Sequence, residues 1–196
     1  MDYSVEKHYQ LMGITYRHTE ILAFFDSLFV RRSIQRELWS AREQIALIKN
    51  NGKLIDLDGL NAEQKEKIAE NINRMKFTYP DYMVFKENPK LMNEHRTRVA
   101  GTPDLIIEVW SPFNSPEEKS EKRHLFIAPK SEFWELDQNS LKILCWKPNG
   151  SSYIQYLNRT VKTPWGEELD LTPLALDAEV EDTSQQVGDK GIDIEL

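Results

Sequence analysis

The stretch from Gly101 to Asp137, GTPDLIIEVWSPFNSPEEKSEKRHLFIAPKSEFWELD, predicts a strand, a capped helix and a second strand. Alternate residues of a strand share one face. The residues on the face of Glu108 are Asp104, Ile106 and Trp110. Both faces of this strand are largely apolar, which predicts cover on both sides. A carboxylate inside a covered strand costs free energy unless it is paired or ligated, so Glu108 indicates a functional site.

The helix predicted after this strand supports that interpretation. Ser115 is a suitable N-cap, Pro116 suits the first helical position, and Glu118 follows three residues after the cap. On a helical wheel Lys122 falls near the middle of the apolar side, beside Leu125-Phe126. A lysine is seldom placed there for packing alone. If the helix packs back on its own sheet, this lysine and the strand glutamate converge.

Composition predicts one folded domain and an acidic tail. The chain has 196 residues, 40% of them hydrophobic, and a net charge of −7. Residues 177–196 contain seven acids and one base, with few large apolar side chains, so they predict a flexible tail. Residues 1–176 are close to neutral and long enough for one domain with a sizeable core. Nucleic-acid binding therefore stays open.

Cysteine usage and hydropathy predict a cytoplasmic protein. The single cysteine, Cys145, excludes an internal disulfide framework and fits a reducing compartment. The first ten residues, MDYSVEKHYQ, show no signal peptide, and no apolar run approaches the length of a membrane span. Three of the four histidines, His18, His95 and His124, have no metal-ligand spacing with the cysteine, which argues against structural zinc.

The N-terminal part predicts helices. Apolar residues recur at helical spacing over Ile21–Phe29, with Thr19 as the expected cap. A second helix is predicted over Ser33–Lys49, because apolar residues repeat there every three or four positions and Asn51-Gly52 follows as a helix end.

The next elements alternate between strand and helix. Lys53–Leu57 predicts a short strand, and Asn61 with Gln64 predicts the cap of a polar surface helix that ends near Met75. Phe77–Lys86 predicts a strand that contains proline, which is typical of a strand start, an edge or a bulge.

The C-terminal half predicts further strands. The strand that ends at Asp137 is expected to pair with Leu141–Lys147 across a turn, and Pro148-Asn149-Gly150 marks the turn to a strand over Tyr153–Leu157. Together the elements predict an α/β (α+β) fold: N-terminal helices, a central mixed β-sheet and one crossover helix.

From about Tyr79 to Trp146 the order of motifs resembles the Uma family, which belongs to the PD-(D/E)XK nuclease superfamily. The motifs that carry this resemblance are Pro80-Asp81, Pro103-Asp104 followed by Glu108-Val109, Ser111-Pro112, the helix with Glu118 and Lys122, and Glu132-Phe133-Trp134. The resemblance implies a restriction endonuclease-like core.

The resemblance also implies a divalent-metal-dependent DNA endonuclease. By the family pattern Asp81 and Glu108 would hold Mg²⁺ or Mn²⁺. The superfamily's lysine usually stands two residues after the glutamate, where this chain has Trp110, and Lys122 would replace it. Hard oxygen ligands suit Mg²⁺, which usually takes one or two protein carboxylates. The expected partners are DNA and, for some assemblies of this class, a second copy of the chain as a homodimer; no membrane is implied.

The chain departs from the family pattern at several positions. The usual helix tyrosine is Phe126, and the N-terminal acidic segment is not recognisable, so Glu20 is the nearest candidate for a third acid. Asp104 is a second-choice ligand, because an acid at a strand start is typically solvated or capping. Glu118 is more typical of a helix cap, and Lys119 replaces Lys122 if the helix is rotated.

Three functions remain in competition. A nuclease acting on DNA is favoured by Asp81, Glu108 and Lys122. A catalytically inactive nucleic-acid-binding or protein-interaction domain of the same fold is favoured by the altered N-terminal part and the acidic charge. A hydrolase acting on RNA is the third. The HRTR run at His95–Arg98 is typical of a solvated loop and is also able to contact phosphates.

Overall fold

A computed structural model of the chain describes residues 16–34, 38–42, 45–128, 130–140 and 142–175. The predicted acidic tail, residues 177–196, lies outside the described residues, as does the expected end of the domain at residue 176. No helix in the described ranges is long and apolar enough to cross a membrane.

The described part of the chain contains three helices, thirteen strands and a short helical segment at 172–175. The helices are α1 (Tyr16–Ile34), α2 (Ala62–Asn71) and α3 (Pro116–Phe126). The strands are β1 (Trp39–Arg42), β2 (Ala46–Asn50), β3 (Lys53–Leu54), β4 (Phe77–Thr78), β5 (Tyr82–Phe85), β6 (Leu91–Met92), β7 (Arg98–Ala100), β8 (Leu105–Trp110), β9 (Glu132–Asp137), β10 (Lys142–Trp146), β11 (Ser152–Tyr156), β12 (Thr160–Lys162) and β13 (Glu168–Asp170).

The central sheet has six strands in the order β1-β5-β8-β9-β10-β11. Strands β8 and β9 are parallel and are joined by α3, whereas the other neighbours are antiparallel. A parallel pair needs a crossover connection, and α3 supplies it. The predicted mixed α/β fold with one crossover helix is therefore confirmed.

Helices cover both faces of this sheet. Helix α1 packs Ile21, Phe25 and Phe29 on one face, in a core that includes Ile107 and Trp134. Helix α3 packs Leu125 and Phe126 on the other face, against Ile106 and Phe133. All six residues of β8 are buried, which confirms the strand predicted to be covered on both sides. Charged groups in β8 consequently have little access to water.

A smaller five-stranded sheet stands beside the central one, in the order β3-β2-β7-β6 with β4 also paired to β2. Its core is covered from α2 by Ile72 and, in part, by Ile68. The predicted cap of α2 is confirmed, because the side chain of Asn61 accepts from the Gln64 N–H and the Gln64 side chain accepts from the Asn61 N–H.

The helix predicted over Ser33–Lys49 is wrong. The strands β1 and β2 occupy the described residues 39–42 and 46–50 of this segment, and the Ile45 N–H donates to the Arg42 carbonyl at 3.1 Å. Its apolar residues do not share one helical stripe. Leu38 packs in the core beneath α1, whereas Ile48 packs with Ile72 in the core of the smaller sheet. Two short strands reproduced helical spacing by coincidence.

Two other boundaries also differ from prediction. The strand predicted over Phe77–Lys86 is divided between β4 and β5, which belong to different sheets, because Pro80 between them has no N–H for a ladder. The strand predicted over Lys53–Leu57 ends at Leu54, and Asn51-Gly52 forms the turn of a hairpin rather than a helix end. Helix α1 begins at Tyr16, so Thr19 lies inside it.

Candidate active site

Asp81 and Glu108 meet at one end of the β5–β8 pair. Tyr82 pairs with Ile107 in the antiparallel ladder, so Asp81, which immediately precedes β5, stands opposite Glu108. Opposed residues of an antiparallel pair project from the same face. The Asp81 N–H donates to Glu108 Oε1 at 3.3 Å, and the Val109 N–H donates to Asp81 Oδ2 at 2.8 Å. Two acids 27 residues apart in sequence thus come together.

Glu108 is completely buried, and its nearest cation is Lys122, whose Nζ donates to Glu108 Oε2 at 2.5 Å. Burial raises the pKa of Glu108 well above its ordinary value, and the negative charge of Asp81 raises it further. The ammonium of Lys122 opposes both effects without cancelling them. A buried carboxyl group with a raised pKa contributes little to the stability of the fold, and such groups are common in active sites.

Lys122 reaches Glu108 from α3, as its position on the helical wheel predicted. Burial alone lowers the pKa of this lysine, but the charges of Glu108 and Asp81 outweigh burial, so the net shift is upward. Lys122 therefore stays an ammonium at neutral pH. Its side chain is 24% exposed and lines an open groove of about 810 Å³, whose opposite wall includes Lys49 and Thr78.

The start of α3 is fixed by short polar side chains. Ser115 Oγ accepts from the Glu118 N–H at 3.1 Å, which confirms Ser115 as the N-cap. Asn114 Nδ2 donates to Glu118 Oε2 at 3.0 Å, and Asn114 Oδ1 accepts from the Ser111 N–H at 2.8 Å. The loop after β8 thereby sets the rotation of α3 and the direction of Lys122.

His18 is a component of the site that sequence reasoning missed. This buried residue of α1 places its Nε2 3.2 Å from Asp81 Oδ2. Most other buried residues of helix α1 are apolar, and His18 precedes the buried Leu22 and Phe25 by four and seven residues. That spacing was the available signal, because it places a polar ring on the buried stripe of the helix.

The other candidate residues make other contacts. The carboxylate of Glu20 is 3.7 Å from Arg17. Asp104 precedes β8 and accepts the Lys86 N–H at 2.7 Å, roughly 13 Å along the strand from Glu108 at the usual rise per residue. Lys119 Nζ is 5.6 Å from the ring centroid of Trp110, as close as Lys122 Nζ at 5.5 Å, but Lys122 is the lysine that donates to Glu108. Asp81, Glu108 and Lys122 are therefore the predicted residues that the structure brings together.

Comparison with known proteins identifies the family of this chain. The model of the Uma2 family, described as "Putative restriction endonuclease", matches residues 31–181. The chain belongs to the Uma2 family. The resemblance found from the motifs alone is thus confirmed. No curated protein matches the chain.

Among solved structures, the Uma2 chain is similar to the crystal structure of "a putative nuclease belonging to DUF820" from Anabaena variabilis. The two sequences are 16% identical, and the match covers 81% of this chain and 79% of the other, with a TM-score of 0.49.

A second buried glutamate of the Uma2 chain has a different environment. Glu135 of β9 is in register with Glu108 of β8, on the same face of the sheet. Arg123 donates to it with Nε at 2.6 Å and Nη2 at 2.8 Å. The indoles of Trp110 and Trp146 also donate to it, at 2.7 Å and 2.5 Å. Glu135 is therefore saturated with donors and reads as a structural residue.

The Glu-aromatic-Trp motif of the Uma2 family pattern is likewise held within the fold. Glu132 Oε1 accepts from Trp134 Nε1 and from the hydroxyl of Tyr153, both at 2.6 Å. Trp134 is fully buried, so its ring is unable to stack on a base.

The carboxylates of the site suit a divalent cation as a pair. Within the described ranges, no group of three or more His, Cys, Asp or Glu side chains is arranged to hold a metal ion. Mg²⁺ usually keeps several waters and uses one or two carboxylates, so the carboxylate oxygens of Asp81 and Glu108 match its donor chemistry. The same oxygens are hydrogen-bonded by protein donors, which a bound cation would have to displace in part.

Proposed function

We propose that this protein is a divalent-metal-dependent nuclease that hydrolyses phosphodiester bonds in DNA, with Asp81, Glu108 and Lys122 at its reactive centre. The observation that carries the proposal is the buried Glu108, which contacts Lys122 at 2.5 Å and lies opposite Asp81. Membership in a family described as "Putative restriction endonuclease" supports the same reaction class.

The residues divide the work by charge. Asp81 and Glu108 would hold Mg²⁺ or Mn²⁺, which supplies activation of water and neutralisation of phosphate charge when bound. Lys122, as an ammonium on the groove side of the pair, donates hydrogen bonds and offsets the negative charge of a phosphoryl oxygen. Its raised pKa argues against a role as general base, because the neutral amine is scarce at neutral pH.

His18 is a positioning residue in this proposal. Its Nε2 and the Val109 N–H both contact Oδ2 of Asp81, at 3.2 Å and 2.8 Å. Two contacts on one oxygen restrict the rotation of the carboxylate. A fixed carboxylate binds a cation at a lower entropic cost than a mobile one.

Plasmid cleavage with Mg²⁺ or Mn²⁺ tests the proposal. Wild type is expected to convert supercoiled DNA to open and linear forms, and Glu108→Gln to lose at least about 100-fold of this activity. Glu121→Gln, an exposed glutamate of the same helix, is the matched control and should cleave like wild type. Equal cleavage by wild type and Glu108→Gln would contradict the assignment. A parallel arm with RNA separates the two nucleic-acid substrates.

A non-catalytic nucleic-acid-binding domain is the second candidate. It is favoured by the closed hydrogen bonding of the pair, in which Lys122 engages Glu108 and Val109 engages Asp81. Wild type that binds DNA but cuts neither DNA nor RNA with any divalent metal would establish this alternative in place of the enzyme.

A further inference from the structure

A surface beside the candidate active site combines basic side chains with exposed aromatic rings. It is formed by residues 73–79, which connect α2 to β4 and the following loop, and by residues 93–98 between β6 and β7. We call it the basic-aromatic surface. Its side chains are Arg74, Lys76, Phe77, Tyr79, Arg96 and Arg98.

The two segments are fixed against each other. Arg98 Nη1 donates to the carbonyl of Asn73 at 2.8 Å and lies 3.4 Å from the carbonyls of Ile72 and Met75. The side chain of Asn93 donates to Asn73 Oδ1 at 3.0 Å. The surface is therefore held together by hydrogen bonds at the end of α2, and its side chains start from a defined backbone.

The aromatic rings are exposed although the fold buries most of its large apolar residues. Phe77 is 38% and Tyr79 is 47% exposed. Their ring centroids are 5.3 Å apart at an interplanar angle of 74°, and the guanidinium of Arg98 lies 4.4 Å from the centroid of Phe77. An edge-to-face pair supported by an arginine is a platform on which a further flat ring is able to stack.

The charge of the surface is opposite to that of the chain. Its two segments contain four bases, Arg74, Lys76, Arg96 and Arg98, and one acid, Glu94, whereas the whole chain has a net charge of −7. Arg74, Lys76 and Arg96 are exposed. Because the rest of the protein is acidic, a polyanion is expected to bind at this basic surface and not over the whole protein.

We propose that the basic-aromatic surface binds a segment of nucleic acid whose bases are unpaired. Phosphates contact Arg74, Lys76 and Arg96, and bases stack on Tyr79 and Phe77. Unpaired bases are required because the faces of bases in a duplex are already stacked, so that only their edges are accessible in the grooves.

The surface is close to the candidate active site along the chain. Tyr79 is two residues before Asp81, which limits the distance between their Cα atoms to about 7 Å. A base stacked on Tyr79 would therefore lie near Asp81. This link to catalysis rests on the proposed function, whereas the binding itself does not.

Binding of labelled oligonucleotides to the full chain in EDTA tests the proposal, with a single strand and the duplex of the same sequence. The single strand should bind more tightly. Tyr79→Ser should weaken single-strand binding by roughly tenfold, the effect of losing one stacked base, and Tyr79→Phe should restore it. The association constant should fall with rising salt concentration. Lys76→Gln and Arg96→Gln should each reduce the steepness of the plot of its logarithm against the logarithm of salt concentration by about 0.7.

The edge strand β11 of the central sheet offers a matched control. Tyr156 is 41% exposed, and the guanidinium of Arg159 lies 5.9 Å from its ring centroid. The double variant Tyr156→Ser with Arg159→Gln removes the same two chemical groups and should bind like wild type. Equal weakening by this control, equal affinity for duplex and single strand, or unchanged binding by Tyr79→Ser would each overturn the proposal.

The result is independent of cleavage. If the plasmid assay fails while Tyr79→Ser still weakens single-strand binding, the surface stands and the nuclease proposal falls. If the plasmid assay succeeds while Tyr79→Ser binds like wild type, the nuclease stands and the surface falls.

Discussion

Glu108 and Glu135 are buried glutamates at the same level of neighbouring strands, and each receives a cation from α3. Glu135 accepts four hydrogen bonds, from an arginine fork and two indoles. Glu108 accepts one short bond from Lys122 and one long bond from a backbone N–H, and it faces a second acid. Burial alone therefore does not distinguish a reactive carboxylate from a structural one. The number and kind of donors around it do.

The two cations differ in the same sense. Lys122 and Arg123 are consecutive on α3, so they reach different strands of the sheet. Arginine presents a planar fork that fits a carboxylate in two places, whereas lysine is a point charge with donors to spare. The guanidinium of Arg123 occupies both carboxylate oxygens of Glu135, whereas the ammonium of Lys122 donates to one oxygen of Glu108 and leaves it able to accept another ligand.

The largest effect is expected from Lys122→Met, which keeps the length of the side chain and removes its charge. Cleavage should fall by about 100- to 1000-fold, the typical result of losing one electrostatic donor. The free energy of unfolding should also fall, because the buried carboxylate of Glu108 loses the ammonium that pairs with it, so cleavage is compared per folded molecule. Lys119→Met is the control on the same helix. A methionine variant that cleaves like wild type would assign Lys122 a packing role.

Glu135→Gln should reverse this pattern. The amide leaves donors of Trp110 and Trp146 without a charged acceptor, and the free energy of unfolding should fall by about 2 kcal/mol. The larger values typical of buried ion pairs are not expected, because the Arg123 side chain is 37% exposed and regains water. Cleavage per folded molecule should stay unchanged. Urea unfolding of Glu135→Gln and Glu108→Gln side by side measures the difference, and equal losses would remove the distinction between the two glutamates.

His18→Phe is expected to have a smaller effect, confined to catalysis. Phenylalanine keeps a ring against the α1 core but removes the contact with Asp81. We expect kcat to fall roughly tenfold with little change in KM, because a less well oriented carboxylate affects the reaction more than binding. His18→Gln, which retains a nitrogen at a similar reach, should recover part of the rate. An unchanged kcat in His18→Phe would show that the histidine serves packing alone.

The smallest effect concerns alkaline pH on the structural side of the sheet. Burial raises the pKa of Cys145 to about 12, from about 8.5 in an unfolded chain. The folded state therefore keeps a proton that the unfolded state releases. This contribution to stability is complete below about pH 8.5 and is lost progressively as pH rises toward 12.

Between pH 8 and pH 9.5 this loss should amount to about 1 kcal/mol of the free energy of unfolding. Burial also raises the pKa of Tyr153, whose hydroxyl donates to Glu132, so a further loss is expected at higher pH. Denaturant titrations at several pH values measure the slope, and Cys145→Ala should flatten it up to pH 9.5. A wild-type slope that the alanine variant reproduces would contradict the assignment to Cys145.

The sequence predicted the parts of the site that lie on long, regular elements. The alternation of residues in β8 predicted that Glu108 is buried. The N-cap at Ser115 set the start of the helix, and the helical wheel drawn from it placed Lys122 on the side that faces Glu108. The sequence did not show that Glu108 belongs to the candidate site while Glu135 is a structural residue. Arg123 and Trp146 reach Glu135 from other elements, and such contacts depend on how helix and strands pack.

The smaller sheet and His18 were beyond local patterns for related reasons. Strands of two or three residues, such as β3, β4 and β6, are too short to show a period of two. The segment predicted as a helix over Ser33–Lys49 shows the converse error, because a short apolar spacing fits more than one structure. The contact between His18 and Asp81 joins residues 63 apart in sequence, and only the docking of α1 on the sheet creates it.

The hydrogen-bonded loop before α3 has a consequence for how such a chain is able to diverge. Ser111, Asn114 and Glu118 tie the strand end to the first turn of the helix, and Glu108 and Lys122 are separated by 14 residues. Each residue added within the helix before Lys122 would rotate the following positions by about 100°. One insertion would exchange the reactive cation for a neighbour of different chemistry. Homologues that keep the pair are therefore expected to substitute residues in this interval but to conserve its length, and to accept insertions in the exposed turn at 147–151 instead.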